Sequence, residues 1–368
     1  MLSSRERLLR CIRHQSIDRV PVSTYELNGW NEDEWENHEP SYAELMAFIR
    51  DETDCVYMYN PPSACPEYPD DEVESWREGT STFTRVTRRG RSGSLVSLSR
   101  EDEGVHTSWT LKHPLEAIDD IDTFLGLRWQ PPVYDMNELT RRQELLGERG
   151  VVMMSVADPI CVAAELFEMG TFLVHALTES ERVEYFLDAL HERQMESLRQ
   201  MCRYDVKDVL FRICGPEYAT PPYLPATLFP RLVTKYLIPM CRAILDAGAI
   251  PRIHSHGKIA QVLDEFARTG ALALDPVEPP PDGDIALSEV KRKYGKQFCL
   301  FGNIELKELE FATPERIDAL VREAMDAAKE GSGFVLMPTA SPINVPLSKV
   351  TERNYRQMVE SALKYGKY

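Results

Sequence analysis

Eight short apolar runs, separated by longer stretches of helical periodicity, set the strongest limit on how this chain can fold. The runs are Val20–Thr24, Cys55–Tyr59, Val151–Val156, Val209–Cys214, Pro251–Ser255, Ala271–Asp275, Phe298–Gly302 and Phe334–Met337. Helical patterns follow most of them, among them Glu179–Cys202, Pro225–Ala247, Ile259–Thr269, Pro314–Lys329 and Ser348–Tyr365. Alternation of this kind argues for parallel strands joined by crossover helices. A count of eight favours a closed ring over an open sheet. The expected fold is therefore one α/β domain over 1–368, a (β/α)8 TIM barrel, with functional residues at the C-terminal ends of its strands.

One stretch breaks the alternation. Val73–Lys112 is rich in Thr, Ser, Val and charge, with turn signals at Arg89-Gly90 and Arg91-Ser92-Gly93. It predicts a β-hairpin insertion after the second strand, near the barrel mouth, acting as a lid or substrate wall, or as the contact of a homodimer. The balance of 42 Lys and Arg against 59 Asp and Glu gives a formal net charge of -17, so nucleic acid is not an expected partner. No run of about 20 apolar residues occurs, so no membrane span is expected. Met1–Arg7 has no long apolar run, so no signal peptide is expected either. The cysteines at 11, 55, 65, 161, 202, 214, 241 and 299 form no C-x-x-C pair. That usage suits a reducing, cytoplasmic compartment.

The most informative constellation is His254-x-His256 at the end of the fifth strand, with Glu278 one βα unit later in Asp275-Pro276-Val277-Glu278-Pro279-Pro280-Pro281. Residues i and i+2 of a strand point to one side, and neighbouring strands lie about 5 Å apart. Two imidazoles and a carboxylate can therefore grip one divalent metal ion and leave a coordination position open for catalysis. Glu278 could instead hydrogen-bond the loop that its prolines stiffen. Arg252 shares the inward side of the strand with His254, which suits either a substrate anion or an interior ion pair. Glu217, in Cys214-Gly215-Pro216-Glu217 after the fourth strand, is a candidate general base, fourth ligand or histidine-orienting partner. Cys214 reads as a small buried hydrophobe. Glu26 is a second candidate for proton transfer. Asn28, Tyr57, Asn60, Asp158 and Asn303 also fall at strand ends, where substrate-binding residues sit in a barrel. Gly302 reads as a backbone requirement.

Several segments resemble the uroporphyrinogen decarboxylase superfamily. They are Ser4-Arg5-Glu6-Arg7-Leu8-Leu9-Arg10 with Asp18-Arg19-Val20-Pro21-Val22, Ile253-His254-Ser255-His256-Gly257, Gly302-Asn303-Ile304, Thr313-Pro314-Glu315, Gly333-Phe334-Val335-Leu336 and Tyr365-Gly366-Lys367-Tyr368. The resemblance runs nearly end to end. It implies either decarboxylation of a porphyrinogen or the chemistry of the corrinoid-linked, zinc-dependent methyltransferases. The decarboxylases carry a Met-Arg-Gln-Ala-Gly-Arg segment after the first strand, which suits a substrate with many carboxylates. Here that region reads Val22-Ser23-Thr24-Tyr25-Glu26-Leu27-Asn28-Gly29-Trp30 and offers an acid without a base. The methyltransferase branch is the better match. Its zinc site, like that of the related cobalamin-independent methionine synthases, uses a His-x-Cys and a late Cys. Here His256 replaces the first Cys and Ala340 stands in the place of the second.

The resemblance and the residues together imply a metal-dependent methyltransferase, with Zn2+ the expected ion and a corrinoid supplied by a separate carrier protein. Iron, cobalt, nickel or manganese would suit the same ligands. A set with two imidazoles is harder and more positive than one with two thiolates, so it favours Lewis-acid work over thiolate chemistry. A second expectation is a metal-assisted decarboxylase or lyase of a small carboxylate. In that case Glu217 or Glu26 moves the protons. A third is a non-catalytic barrel scaffold, for which the missing late Cys speaks.

Overall fold

The computed structural model describes residues 2–368. Seven parallel strands form a curled sheet in the order β1, β6, β7, β8, β9, β10, β11: β1 Cys55–Met58, β6 Gly150–Ala157, β7 Leu210–Cys214, β8 Ile250–His254, β9 Ala273–Asp275, β10 Cys299–Ile304 and β11 Phe334–Pro338. The eighth stave is the expected Val20–Thr24 segment, which is too thinly bonded to count as a strand. Ser23 N–H donates to Leu336 O and Leu336 N–H to Pro21 O, while Asp54 N–H donates to Val22 O. Pro21 has no N–H to give, which limits the ladder. These bonds join β11 to the chain entering β1 and close the barrel.

Strand periodicity sorts the side chains into two cores. Val56, Val151, Met153, Leu210, Ile250, Ala273, Cys299, Phe301, Val335 and Met337 fill the barrel interior. Their neighbours, such as Val152, Met154, Ile253, Leu300 and Leu336, pack outward against the helices. Helix Ser4–Ile12 packs Leu8, Leu9, Cys11 and Ile12 against the N-terminal ends of the strands and so plugs the barrel floor. What is left open is the C-terminal mouth.

The helices are set by their termini. Thr313 caps Pro314–Ala328 through Arg316 N–H, with Pro314 in the first turn. Ser348 caps Lys349–Tyr365 through Thr351 N–H. Two expected helices are shorter than their patterns. Pro225–Ala247 begins with a π turn at Pro230–Thr234 before the α-helix Lys235–Asp246, and Ile259–Thr269 is helical only over Leu263–Arg268.

The insertion is larger than the expected hairpin. It is a four-stranded antiparallel meander of β2 Glu72–Glu78, β3 Ser81–Gly90, β4 Gly93–Asp102 and β5 Ser108–Lys112. Three turns, at Gly79, at Arg91-Ser92 and at Gly104, each reverse the chain. The sheet attaches to the C-terminal side of the barrel. Val105 bridges Asn344, His106 N–H donates to Ile343 O, and the His106 ring stacks on Trp35 at 3.8 Å.

Candidate active site

On β8, Ile250, Arg252 and His254 climb one inward-facing column from the apolar floor to the rim. Arg252 cannot meet a substrate. It is fully enclosed (0% exposed), lies over the Phe301 ring, and touches the sulfurs of Met153 and Met337. Its Nε donates to Asp275 Oδ1 at 2.5 Å. The substrate-binding expectation for Arg252 is thus corrected to the interior ion pair. Asp275 stands in register with His254, and its other oxygen meets His254 Nδ1 at 2.7 Å. Burial alone would raise the Asp275 pKa, but Arg252 and His254 outweigh it and hold the carboxyl well below the usual carboxylate range.

His256 repeats the arrangement one step higher. Its Nδ1 meets Glu278 Oε1 at 2.8 Å, and Glu278 Oε2 accepts Gly257 N–H at 2.6 Å. Burial works against the charged forms of both groups. Their mutual hydrogen bond prevails, lowering the carboxyl and raising the imidazole. The turn that presents Glu278 is closed by Gly283 N–H donating to Pro279 O and propped by Asn303 Nδ2, which donates to Val277 O. The two imidazole rings stand edge to face, 4.6 Å apart.

Glu278 therefore reaches the histidine pair as the Nδ1 partner of His256, not as a free ligand beside it. Among the described residues, no group of three His, Cys, Asp or Glu is set to hold a metal ion. Two ring nitrogens are nevertheless free for one, short of the three protein ligands usual at a catalytic zinc. Metal-ligating histidines commonly give their second ring nitrogen to a carboxylate, and both histidines do so here. That leaves Nε2 of each, with only a 3.5 Å contact from Tyr25 Oη to His254 Nε2.

Three residues at the mouth escaped sequence reasoning. Glu305 follows β10, and its Oε1 is buried without a partner. Burial, then the nearby Glu278 and Asp282, push its carboxyl up to about 7. Its two-residue offset from Asn303 was the available signal. Arg212, inward-facing on β7 and paired in register with Arg252, donates from Nη1 to Tyr25 Oη at 2.9 Å. Tyr25 holds that place at φ 58°, an unusual conformation for a bulky residue.

The remaining expectations divide. Glu26 lies at the mouth, its carboxylate 3.3 Å from Arg212. Glu217 accepts Gly215 N–H and faces a cleft beneath the inserted sheet that His113, Glu165 and Tyr218 also line. Asp158 is closed off from solvent and caps helix Pro159–Leu166 through Cys161 N–H. Its other oxygen is unpartnered, and burial, reinforced by Glu217, raises the carboxyl well above its ordinary value. Tyr57 points outward from β1 to Asn31 and Arg142. Asn28 is buried and accepts from Cys55 Sγ and Trp30 N–H. Asn60 clamps the Ser155 backbone at both its N–H and its carbonyl. Tyr57, Asn28 and Asp158 thus serve the scaffold in this arrangement, because their polar atoms are spent inside it or shut away from the mouth, and Asn303 does so through its Nδ2.

The sequence of residues 102–365 matches the model of the family described as Uroporphyrinogen decarboxylase (URO-D). The chain belongs to the uroporphyrinogen decarboxylase family. Its fold is also that of a methyltransferase from Methanosarcina mazei, at 15% identity over 99% of each chain with a TM-score of 0.62. A Bacteroidetes-affiliated GH5 cellulase overlaps more loosely, at 11% identity over 69% of this chain and 86% of that one with a TM-score of 0.38, too low to carry an argument. No match is found among curated proteins. In this member of the uroporphyrinogen decarboxylase family, Arg212 at the mouth comes from β7. No helix among the described residues is long and apolar enough to cross a membrane.

Proposed function

We propose that this member of the family is a methyltransferase whose reaction centre is the His254–His256 pair. The observation that carries the reading is the double carboxylate brace: Asp275 on His254 and Glu278 on His256, each at Nδ1. The braces fix both rings and direct Nε2 as the working atom of each. Zn2+ held by these two Nε2 atoms would polarise a heteroatom of the methyl donor or acceptor. Glu305 is placed to take or give a proton beside His256, since a carboxyl near 7 exchanges protons at neutral pH. A corrinoid carrier protein is the methyl partner in this reading.

The test is metal analysis of the purified protein together with transfer of a methyl group between methylcobalamin and a small thiol. Zinc near one equivalent and transfer that fails in His256→Ala are expected. A metal-free protein with no transfer would refute it. Glu305 also supports a second reading, decarboxylation or lysis of a small carboxylate. Release of carbon dioxide from such a substrate, without methyl transfer, would favour it. Uroporphyrinogen itself is not an expected substrate, given the acid at Glu26.

A further inference from the structure

Two arginines share one layer of the barrel interior, and their circumstances differ. Arg252 has its carboxylate built in: Asp275, fully buried, at 2.5 Å. Arg212, its register neighbour, has none of that kind. The Arg212 side chain is 11% exposed, yet among the described residues the only carboxylate touching it is Glu26, at 3.3 Å and 44% exposed. A guanidinium cannot shed its charge, so a largely desolvated one without a firm anion is costly to keep.

Arg212 is also held in a set pose. Nε donates to Ser155 Oγ at 3.0 Å, Nη1 donates to Tyr25 Oη at 2.9 Å, and the guanidinium carbon lies 5.6 Å from the Tyr25 ring centre. Nη2 makes no hydrogen bond among the described residues. The backbone strain at Tyr25 keeps this hydroxyl between Arg212 and His254, 3.5 Å from His254 Nε2. An anion on Arg212 is therefore one tyrosine hydroxyl away from the imidazole pair.

We propose that Arg212 is the seat for a carboxylate of the substrate, and that Glu26 occupies it until the substrate displaces it. The side chain of Glu26 shows which anion fits: a planar carboxylate meeting the planar guanidinium, with Nη2 still available for a second bond. The substrate class is then a small carboxylic acid whose reacting group, one or two bonds from the carboxylate, lies at the histidines. This rests on the reading that the histidine pair is the reaction centre. The seat itself is testable without any reaction.

The probes are glycolate, its uncharged counterpart glycolamide, and inorganic phosphate, with binding to the full chain followed by ligand-observed NMR. Glycolate should bind and glycolamide should bind at least about tenfold more weakly, the worth of one charged hydrogen-bonded contact. Arg212→Met should lose glycolate by at least about tenfold. Glu26→Gln, which leaves the seat without its resident anion, should bind it several-fold more tightly, and this variant stands even if Arg212→Met fails to fold. His256→Ala should still prefer glycolate to glycolamide by at least about tenfold while losing turnover, so a failed seat and a failed reaction centre read differently. Equal binding of acid and amide, preference for phosphate over glycolate, or unchanged or weaker affinity in Glu26→Gln would each overturn the proposal.

Discussion

His254 and Asp275 face each other across the β8–β9 pair in strict register, Nδ1 to Oδ2 at 2.7 Å, and Asp275 turns its other oxygen to Arg252. One buried carboxylate thus does two things. It neutralises an interior arginine and fixes the tautomer of a rim histidine.

Asp275→Asn should separate those tasks. It leaves Arg252 charged and enclosed, so the variant should lose about 3–5 kcal/mol in urea unfolding. Adding Arg252→Met removes the orphaned charge and should restore much of that loss. Activity should stay low in the double variant, because the anion that braced His254 is still missing. Full recovery of activity along with stability would show that Asp275 acts only as a counter-ion.

His256 presents the opposite balance. Its side chain is 36% exposed and it holds no part of the core. His256→Ala should cost less than about 1 kcal/mol of stability and at least about tenfold in activity and in zinc affinity. His256→Cys should retain zinc, since a thiolate can replace the imidazole. Undiminished metal in a His254→Ala, His256→Ala double variant would move the ion elsewhere.

Gly302 tests how the mouth is built. It sits in β10 at φ 147°, and a Cβ there would overlap the carbonyl oxygen of Pro276, at the root of the loop that presents Glu278. Gly302→Ala should cost at least about 2 kcal/mol through strain and clash together. It should also weaken the Glu278–His256 contact, seen as a downward shift of the His256 titration by NMR. An unchanged melting temperature would rule out the close approach.

The barrel was legible because burial on both faces writes each strand into the sequence as a short apolar run. Val151, Val152, Met153 and Met154 are all apolar because both faces of β6 are covered. The His254-x-His256 pair was legible from the two-residue period of a strand. The partners of those histidines were less so. Glu278 could be foreseen near them, but not that it would accept from Nδ1, since spacing fixes which strand end an acid occupies and not which atom it meets. Arg252 and Arg212 look alike in sequence. Only the third dimension shows that Asp275 satisfies one and that an exposed Glu26 meets the other. The inserted sheet was underestimated because β2 and β5 are almost wholly exposed and so carry little apolar alternation.

Glu36 gives the clearest pH signature. It lies in the turn Trp35–Asn37 near the mouth, 5% exposed, with Oε2 unpartnered. Burial, with Glu34 and Glu26 adding to it, pushes its carboxyl from 4.5 up to about 7. Below pH 4.5 the group is protonated whether the chain is folded or not, and it contributes no pH dependence. Between 4.5 and about 7 the unfolded chain ionises first, so the folded state binds more protons and stability falls as pH rises. Above that both states are ionised and the loss levels off at up to about 3 kcal/mol, from about 1.4 kcal/mol per pKa unit. Glu305 titrates over the same range, so the native chain alone cannot isolate the effect. The difference between Glu36→Gln and the native chain can. The variant's advantage in melting temperature should be smallest at pH 4.5, grow to about pH 7 and stay flat to pH 8. A difference that does not change with pH would mean that Glu36 ionises in the folded chain as it does in the unfolded one.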